Sequence, residues 1–204
     1  MSSNHLFTTN RNCDAWVNRG AWRAANFTTF CISNIYQARI VHRHCKHKPS
    51  LPIQYSDISR LLILYERGGW YVDSDVTPTT LSAKSVRYPT TTFGLESNFS
   101  VKKAHSMGML PQSLAMWAIF GVEADEQLKD MACTLAHMSS EQKPAFESMV
   151  SYIHRTSGPT AYTRLWRGKA LSVNIFGCGQ LHSNSPPCAA PTCWGCHRFA
   201  NSWL

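Results

Sequence analysis

Asp73-Ser74-Asp75 places two carboxylates one residue apart, directly after the β-prone run Trp70-Tyr71-Val72. Hard divalent cations such as Mg²⁺ and Mn²⁺ take oxygen ligands, commonly one or two carboxylates together with substrate phosphates. In a regular strand residues i and i+2 share a face, so both side chains are expected to reach one ion or its water shell. An Asp-x-Asp alone is more often a solvated turn, so its neighbours decide its weight. Asp57 and Arg60 are spaced i,i+3, which makes them neighbours on one side of a helix. Gly68 and Gly69 allow a tight turn and a close approach of backbone to a ligand. Tyr71 is placed to stack on a nucleotide or hydrogen-bond to it. The plainer readings are an exposed salt bridge, a helix C-cap and a core tyrosine.

The elements that would position these groups follow from composition and period. Ser56 is a good N-cap, and Asp57 to Arg67 has helical length, good formers and a glycine stop at Gly68-Gly69. That predicts a helix with Asp57 and Arg60 in its first turn, a two-glycine turn, and a buried strand ending at the carboxylates. Ahead of it, residues 1–30 carry spaced aromatics that read as short helices, and residues 41–53 read as a basic loop. Downstream, Pro78 to Pro89 reads as a loop and Phe93-Gly94-Leu95 as a short strand. Ser113–Phe120 reads as a buried apolar helix, with further helices over Ala124–His137 and Glu147–His154. Ser157-Gly158-Pro159 reads as a turn into another helix, Leu171–Phe176 as a strand, and the Pro- and Ser-rich tail from Ser183 as a loop. Helices alternating with short strands, with no dividing linker, argue one α/β domain.

The run from Ser56 to Val76 closely resembles the signature of the DXD-containing glycosyltransferase sugar-binding family, glycosyltransferase family 32 and relatives such as the fungal outer-chain α-1,6-mannosyltransferases. Nearly every fixed position of that signature, Ser-Asp, Arg, Leu-Tyr, Gly-Gly, Tyr and Asp-x-Asp, is met. Fainter likenesses follow in order: Leu110 to Trp117 to the family's next helix, Ser157-Gly158-Pro159 with Thr163 to its Thr-Gly-Pro turn, and His197 to Trp203 to its His-x-x-x-x-Ser-Trp end. The resemblance covers 53–204 of a single domain spanning 1–204, with 1–50 divergent or truncated. Nothing ahead of residue 50 matches the family's opening strand. The resemblance therefore implies a Rossmann-like glycosyltransferase type A fold, α/β with a mixed central sheet lacking its first strand.

What the resemblance implies for chemistry is a metal-dependent, retaining transfer of a hexose from a nucleotide-sugar to a glycan or glycolipid acceptor. Mannose from GDP-mannose with Mn²⁺ is favoured, with Mg²⁺ and UDP-sugars open. Asp75 would ligate the ion directly and Asp73 would hold it through water or touch the ribose. Asp57 and Arg60 would grip the donor sugar, and Tyr71 and Gly69 would lie against the nucleotide or diphosphate. His197, Ser202 and Trp203 would close the site, the first two near the metal and Trp203 on the leaving phosphate. Eukaryotic relatives work in the Golgi lumen, which is the localisation implied.

Composition bounds these readings. The 204 residues are 44% hydrophobic but only 16% charged, against roughly 25% in an average soluble domain. No apolar run approaches the ~18 residues of a membrane helix. Twenty Lys and Arg against twelve Asp and Glu give +8, which suits an anionic partner without selecting one. The bases concentrate only between Arg39 and Lys48, and no nucleic acid is expected as partner. Eight cysteines and the sequons at Asn26 and Asn98 fit an oxidising compartment. Cys193-Trp194-Gly195-Cys196-His197 has the spacing of a haem attachment or half a zinc site, with Cys188 and His182 nearby. A disulfide pinning the last loop is the preferred account. Two rivals are a catalytically inactive sugar-nucleotide-binding remnant and a Cys-rich metal or redox module.

Overall fold

In the computed structural model the described residues are 5–9, 16, 18–78, 89–95, 114–167 and 195–197. Helices are α1 (Arg19–Ala24), α2 (Asn34–His44), α3 (Pro52–Arg67), α4 (Glu126–Ser140), α5 (Met149–Thr156) and α6 (Pro159–Arg167). Strands are β1 (His5–Thr9), β2 (Thr28–Ile32), β3 (Gly69–Val72), β4 (Val76–Pro78), β5 (Thr92–Leu95), β6 (Leu114–Gly121) and β7 (Gly195–His197). The main sheet has five strands in the order β2-β1-β3-β6-β5. β1 runs parallel to both β2 and β3, whereas β6 is antiparallel to β3 and β5. It is a mixed α/β sheet, the fold class expected.

Alternation along the strands divides the core in two. Phe7, Tyr71, Met116 and Ile119 face a cluster built with α2, α3, α4 and α6, around Ile40, Leu61, Leu64, Leu128, Leu135 and Tyr162. Leu6, Trp70, Val72, Trp117 and Phe120 face the other way, onto Trp16, Trp22 and Phe27 around α1. β6 is buried along all eight residues because both faces of the sheet are covered there.

Several expectations are corrected. The region before residue 50 supplies an opening strand after all: β1 lies inside the sheet, with Leu6 and Phe7 opposite Trp70 and Tyr71. Residues 1–30 form β1, α1 and β2 rather than helices alone. Ser113–Phe120 is strand from Leu114, not helix, so the likeness of Leu110 to Trp117 to a family helix fails there. Eight apolar residues in a row suit a two-faced buried strand as well as a buried helix. α3 begins at Pro52, not Ser56, because Pro at the first helical position is preset for the helix and the Gln54 side chain accepts from the Leu51 N–H at 3.0 Å. α2 extends to His44, so the basic loop starts only at Cys45. The helices near 124–137, 147–154 and 160 are present as α4, α5 and α6, the first two capped by Asp125 and Ser148. The expected strand Leu171–Phe176 lies outside the described residues.

Candidate active site

The Asp-x-Asp sits at the end of β3, but in a turn rather than a strand. Asp73 N–H donates to Trp117 O of β6 at 2.9 Å, and Val76 N–H closes the turn on Asp73 O at 3.0 Å. The shared-face argument for i and i+2 therefore does not apply to Asp73 and Asp75. The turn is fixed from the other side by α1 and the residue before it. Asn18 Nδ2 donates to Ser74 O at 3.1 Å, and Trp22 Nε1 to Val76 O at 3.0 Å.

Beneath the turn lies a buried charge network. α3 starts early, so Asp57 and Arg60 sit in its interior, 6% and 5% exposed, rather than on an exposed first turn. Arg60 Nη2 donates to Asp57 Oδ1 at 3.2 Å, Nη1 to Asp73 Oδ1 at 3.2 Å and to Met116 O at 2.7 Å, and Nε to Ser56 O at 3.4 Å. The guanidinium also lies 4.6 Å from the centre of the Tyr71 ring. Tyr71 OH donates to Asp73 Oδ1 at 3.1 Å and bonds Thr9 Oγ1 at 2.7 Å, which in turn bonds Ser56 Oγ at 2.9 Å. Asp57 Oδ2 accepts from Ser157 Oγ at 2.8 Å, and its backbone carbonyl accepts from Tyr162 OH.

Burial orders the electrostatics. The Asp57 carboxyl is pushed up to about 6 by burial, with Asp73 adding to the rise and Arg60 and Ser157 opposing it. Burial alone would lower the Arg60 value, but Tyr71, Asp73 and Asp57 carry it above the ordinary arginine range, so it stays charged. Burial likewise raises the Tyr71 and Tyr162 hydroxyls, which remain neutral donors. One fixed cation thus faces two carboxylates, and a buried cation left without them would be costly.

These placements change the expected roles. Tyr71 is fully buried and supports Asp73 instead of offering a face to a nucleotide. Gly69 has φ +99°, and a Cβ there would lie 2.7 Å from His5 O, so its smallness admits β1. Arg60 spends its donors on the protein itself. Asp73 keeps a side chain 32% exposed, and both contacts from beneath fall on Oδ1, leaving Oδ2 outside that network. Asp75, half-buried, follows in the same turn. Two carboxylates within one turn are the ligand type that a hard divalent cation takes. Among the described residues no three His, Cys, Asp or Glu side chains gather as a fuller metal site. Ser202 and Trp203 lie outside the described residues, as do Cys178, Cys188, Cys193 and His182. Only the backbone of His197 is described. It lies opposite Val76 in the β4–β7 pairing, which brings the C-terminal segment beside the turn.

Sequence reasoning missed Thr9, Asn18, Ser157, Tyr162 and the Met116 carbonyl. Ser157 had a signal, since it belongs to the Ser-Gly-Pro turn. The others carry none in a single sequence.

Residues 7–88 match the family model of the glycosyltransferase sugar-binding region containing a DXD motif. That span runs from β1 through α3, β3 and the Asp-x-Asp to β4 and beyond. No curated protein sequence matches the chain. Among solved structures, the PaToxG glycosyltransferase is similar in fold, with a TM-score of 0.52 over 82% of this chain and 70% of that one, at 13% identity. At that identity the likeness speaks for the fold, an α/β arrangement of glycosyltransferase type A kind.

Proposed function

We propose that this chain is a glycosyltransferase that moves a hexose from a nucleotide-sugar donor to a glycan or glycolipid acceptor, with a divalent cation held at Asp73 and Asp75. The observation that carries the reading is the anchoring of Asp73. Its Oδ1 is fixed by Arg60 and Tyr71 while the side chain stays 32% exposed, inside the span that matches the sugar-binding region. A carboxylate held from beneath by two donors is pre-oriented, which is what a metal–diphosphate site needs. When bound, the cation neutralises charge on the departing diphosphate and orients it.

The chain's own residues then divide the work. Asp73 and Asp75 present oxygens at the strand end, and Asn18 and Trp22 hold the turn that carries them. Arg60 and Tyr71 position Asp73 from below and Asp57 holds Arg60, while the grip of Asp57 and Arg60 on the donor sugar remains part of the proposal. Ser202, Trp203 and the His197 side chain are the proposed closing groups, supported by the pairing of β7 with β4. Mn²⁺ or Mg²⁺ is the proposed ion. Mannose from GDP-mannose is the donor the sequence favours, supported now by the Ser157 turn alone, since Leu114–Trp117 is strand. An oxidising setting is supported by the Cys45–Cys133 disulfide and by the bonded state of Cys31.

Calorimetric titration of GDP-mannose and UDP-glucose, with and without Mn²⁺, tests this on the wild type and on Asp75→Ala. Metal-dependent binding of one donor, lost in the variant, is expected; indifference to both metal and variant overturns it. The inactive-remnant reading rested on a missing first strand, and β1 removes that support.

A further inference from the structure

The loop after α2 is tied to the end of α4 and to the segment entering α5. Cys45 is bonded to Cys133, and the rings of His47 and His137 lie 4.4 Å apart. Ser50 N–H donates to Ser139 O at 3.1 Å. Tyr152 OH donates to Ser139 O and Glu141 O at 3.2 and 2.7 Å.

These ties join two segments that carry different kinds of exposed side chain. Lys46 and Lys48 are exposed, beside His47 and the exposed His137. Within a few residues of Glu141 come Phe146, 93% exposed, with Met149 at 48% and Val150 at 39%. The nearby acids oppose this charge weakly. Glu147 has its carboxylate held by Arg155 at 2.9 Å and by Ser151 at 3.2 Å, which leaves Glu141 as the exposed one. The proposed transfer site uses none of these residues.

Basic side chains alone would suit any polyanion. A nearly bare phenylalanine with two more exposed apolar side chains on the joined segment discriminates. Such residues enter the headgroup boundary of a bilayer while lysines meet anionic headgroups, whereas the phosphates of a duplex would engage the lysines and leave Met149 and Val150 in water. We propose that these two joined segments dock on an anionic lipid bilayer, with Phe146 and Met149 inserted and Lys46 and Lys48 at the headgroups.

Co-sedimentation tests it, using vesicles of phosphatidylcholine alone or with about a third phosphatidylserine. Binding to the anionic vesicles only is expected. Lys46→Glu with Lys48→Glu should lower it at least tenfold, and Phe146→Ser by about tenfold. All three residues are exposed, so an unchanged thermal midpoint shows that the variants fold. Equal binding to the neutral vesicles, or binding that ignores Phe146, overturns the proposal. So does duplex DNA competing fully with the vesicles, which would make the surface a general polyanion site. Donor titration of the same variants should be unchanged, so this result and that of the transfer site stand apart.

Discussion

Asp57→Asn removes one titrating group from beneath the site, and its effect on stability follows from burial. The carboxyl rises from 3.8 in the unfolded chain to about 6 in the fold. Between those values the unfolded chain has released its proton while the folded chain still holds it. Stability therefore falls as pH rises, by about 1.4 kcal/mol per pH unit. The Asp57 contribution is fully present below 3.8 and is lost as pH passes about 6, a total of about 3 kcal/mol. Glu66 and Glu147, whose values are lowered by His44, Arg43 and Arg155 despite burial, pull the opposite way. They are common to both proteins and cancel in the difference. The assay is urea denaturation of wild type and Asp57→Asn across about pH 4 to 7.5. The wild type should lose about 2 kcal/mol relative to the variant over that range, the rest of the total lying below about pH 4. A constant difference would mean that Asp57 stays ionised beside Arg60 throughout, and the reasoning that burial outweighs the ion pair would be wrong.

Arg60→Met should cost about 3–5 kcal/mol, because it strands a buried carboxylate at Asp57 and unseats Asp73; a loss under 1 kcal/mol by denaturation would show the network to be dispensable. Gly69→Ala meets both a φ of +99° and the His5 carbonyl at 2.7 Å, so about 2 kcal/mol or more should be lost, read as a lower thermal midpoint. Cys45→Ser with Cys133→Ser opens a cross-link spanning 88 residues, and a fall of about 2–4 kcal/mol is expected. Asp73→Asn should abolish metal-dependent donor binding in the calorimeter while leaving the thermal midpoint within a few degrees, since its side chain is partly exposed; retained binding would dismiss Asp73 as a ligand.

The charge-bearing part of this site was legible because it is local. Asp57, Arg60, Tyr71, Asp73 and Asp75 fall within one helix–turn–strand unit, and each boundary has a chemical marker. What the sequence hid is what joins that unit to the rest. Thr9 reaches Tyr71 across 62 residues, Ser157 reaches Asp57 across 100, and Tyr162 reaches it across 105. Partners at such separations leave no periodic trace. β6 was misread because a short apolar run has no period to measure, and burial on both faces removes the polar residues that would show one. β1 escaped because His5 to Thr9 is brief and its ends are polar. α3 was started late because Ser56 is a good cap by type, although its hydroxyl is bonded to Thr9 inside the helix. The early start places Asp57 and Arg60 in the helix interior, buried beneath the turn that carries Asp73.

β6 has a further consequence. It lies outside residues 7–88, yet it supplies the carbonyl of Met116 to Arg60 and that of Trp117 to the Asp73 amide. A fragment cut at residue 88 would leave one side of β3 without its partner, an open sheet edge inviting association with other chains. The Arg60 guanidinium would also lose an acceptor it meets at 2.7 Å. The heritable unit, the piece that could be moved between proteins with its chemistry intact, is therefore larger than its recognisable signature. It must include a strand whose residues are free to change as long as they stay apolar, because only their backbone touches the charges.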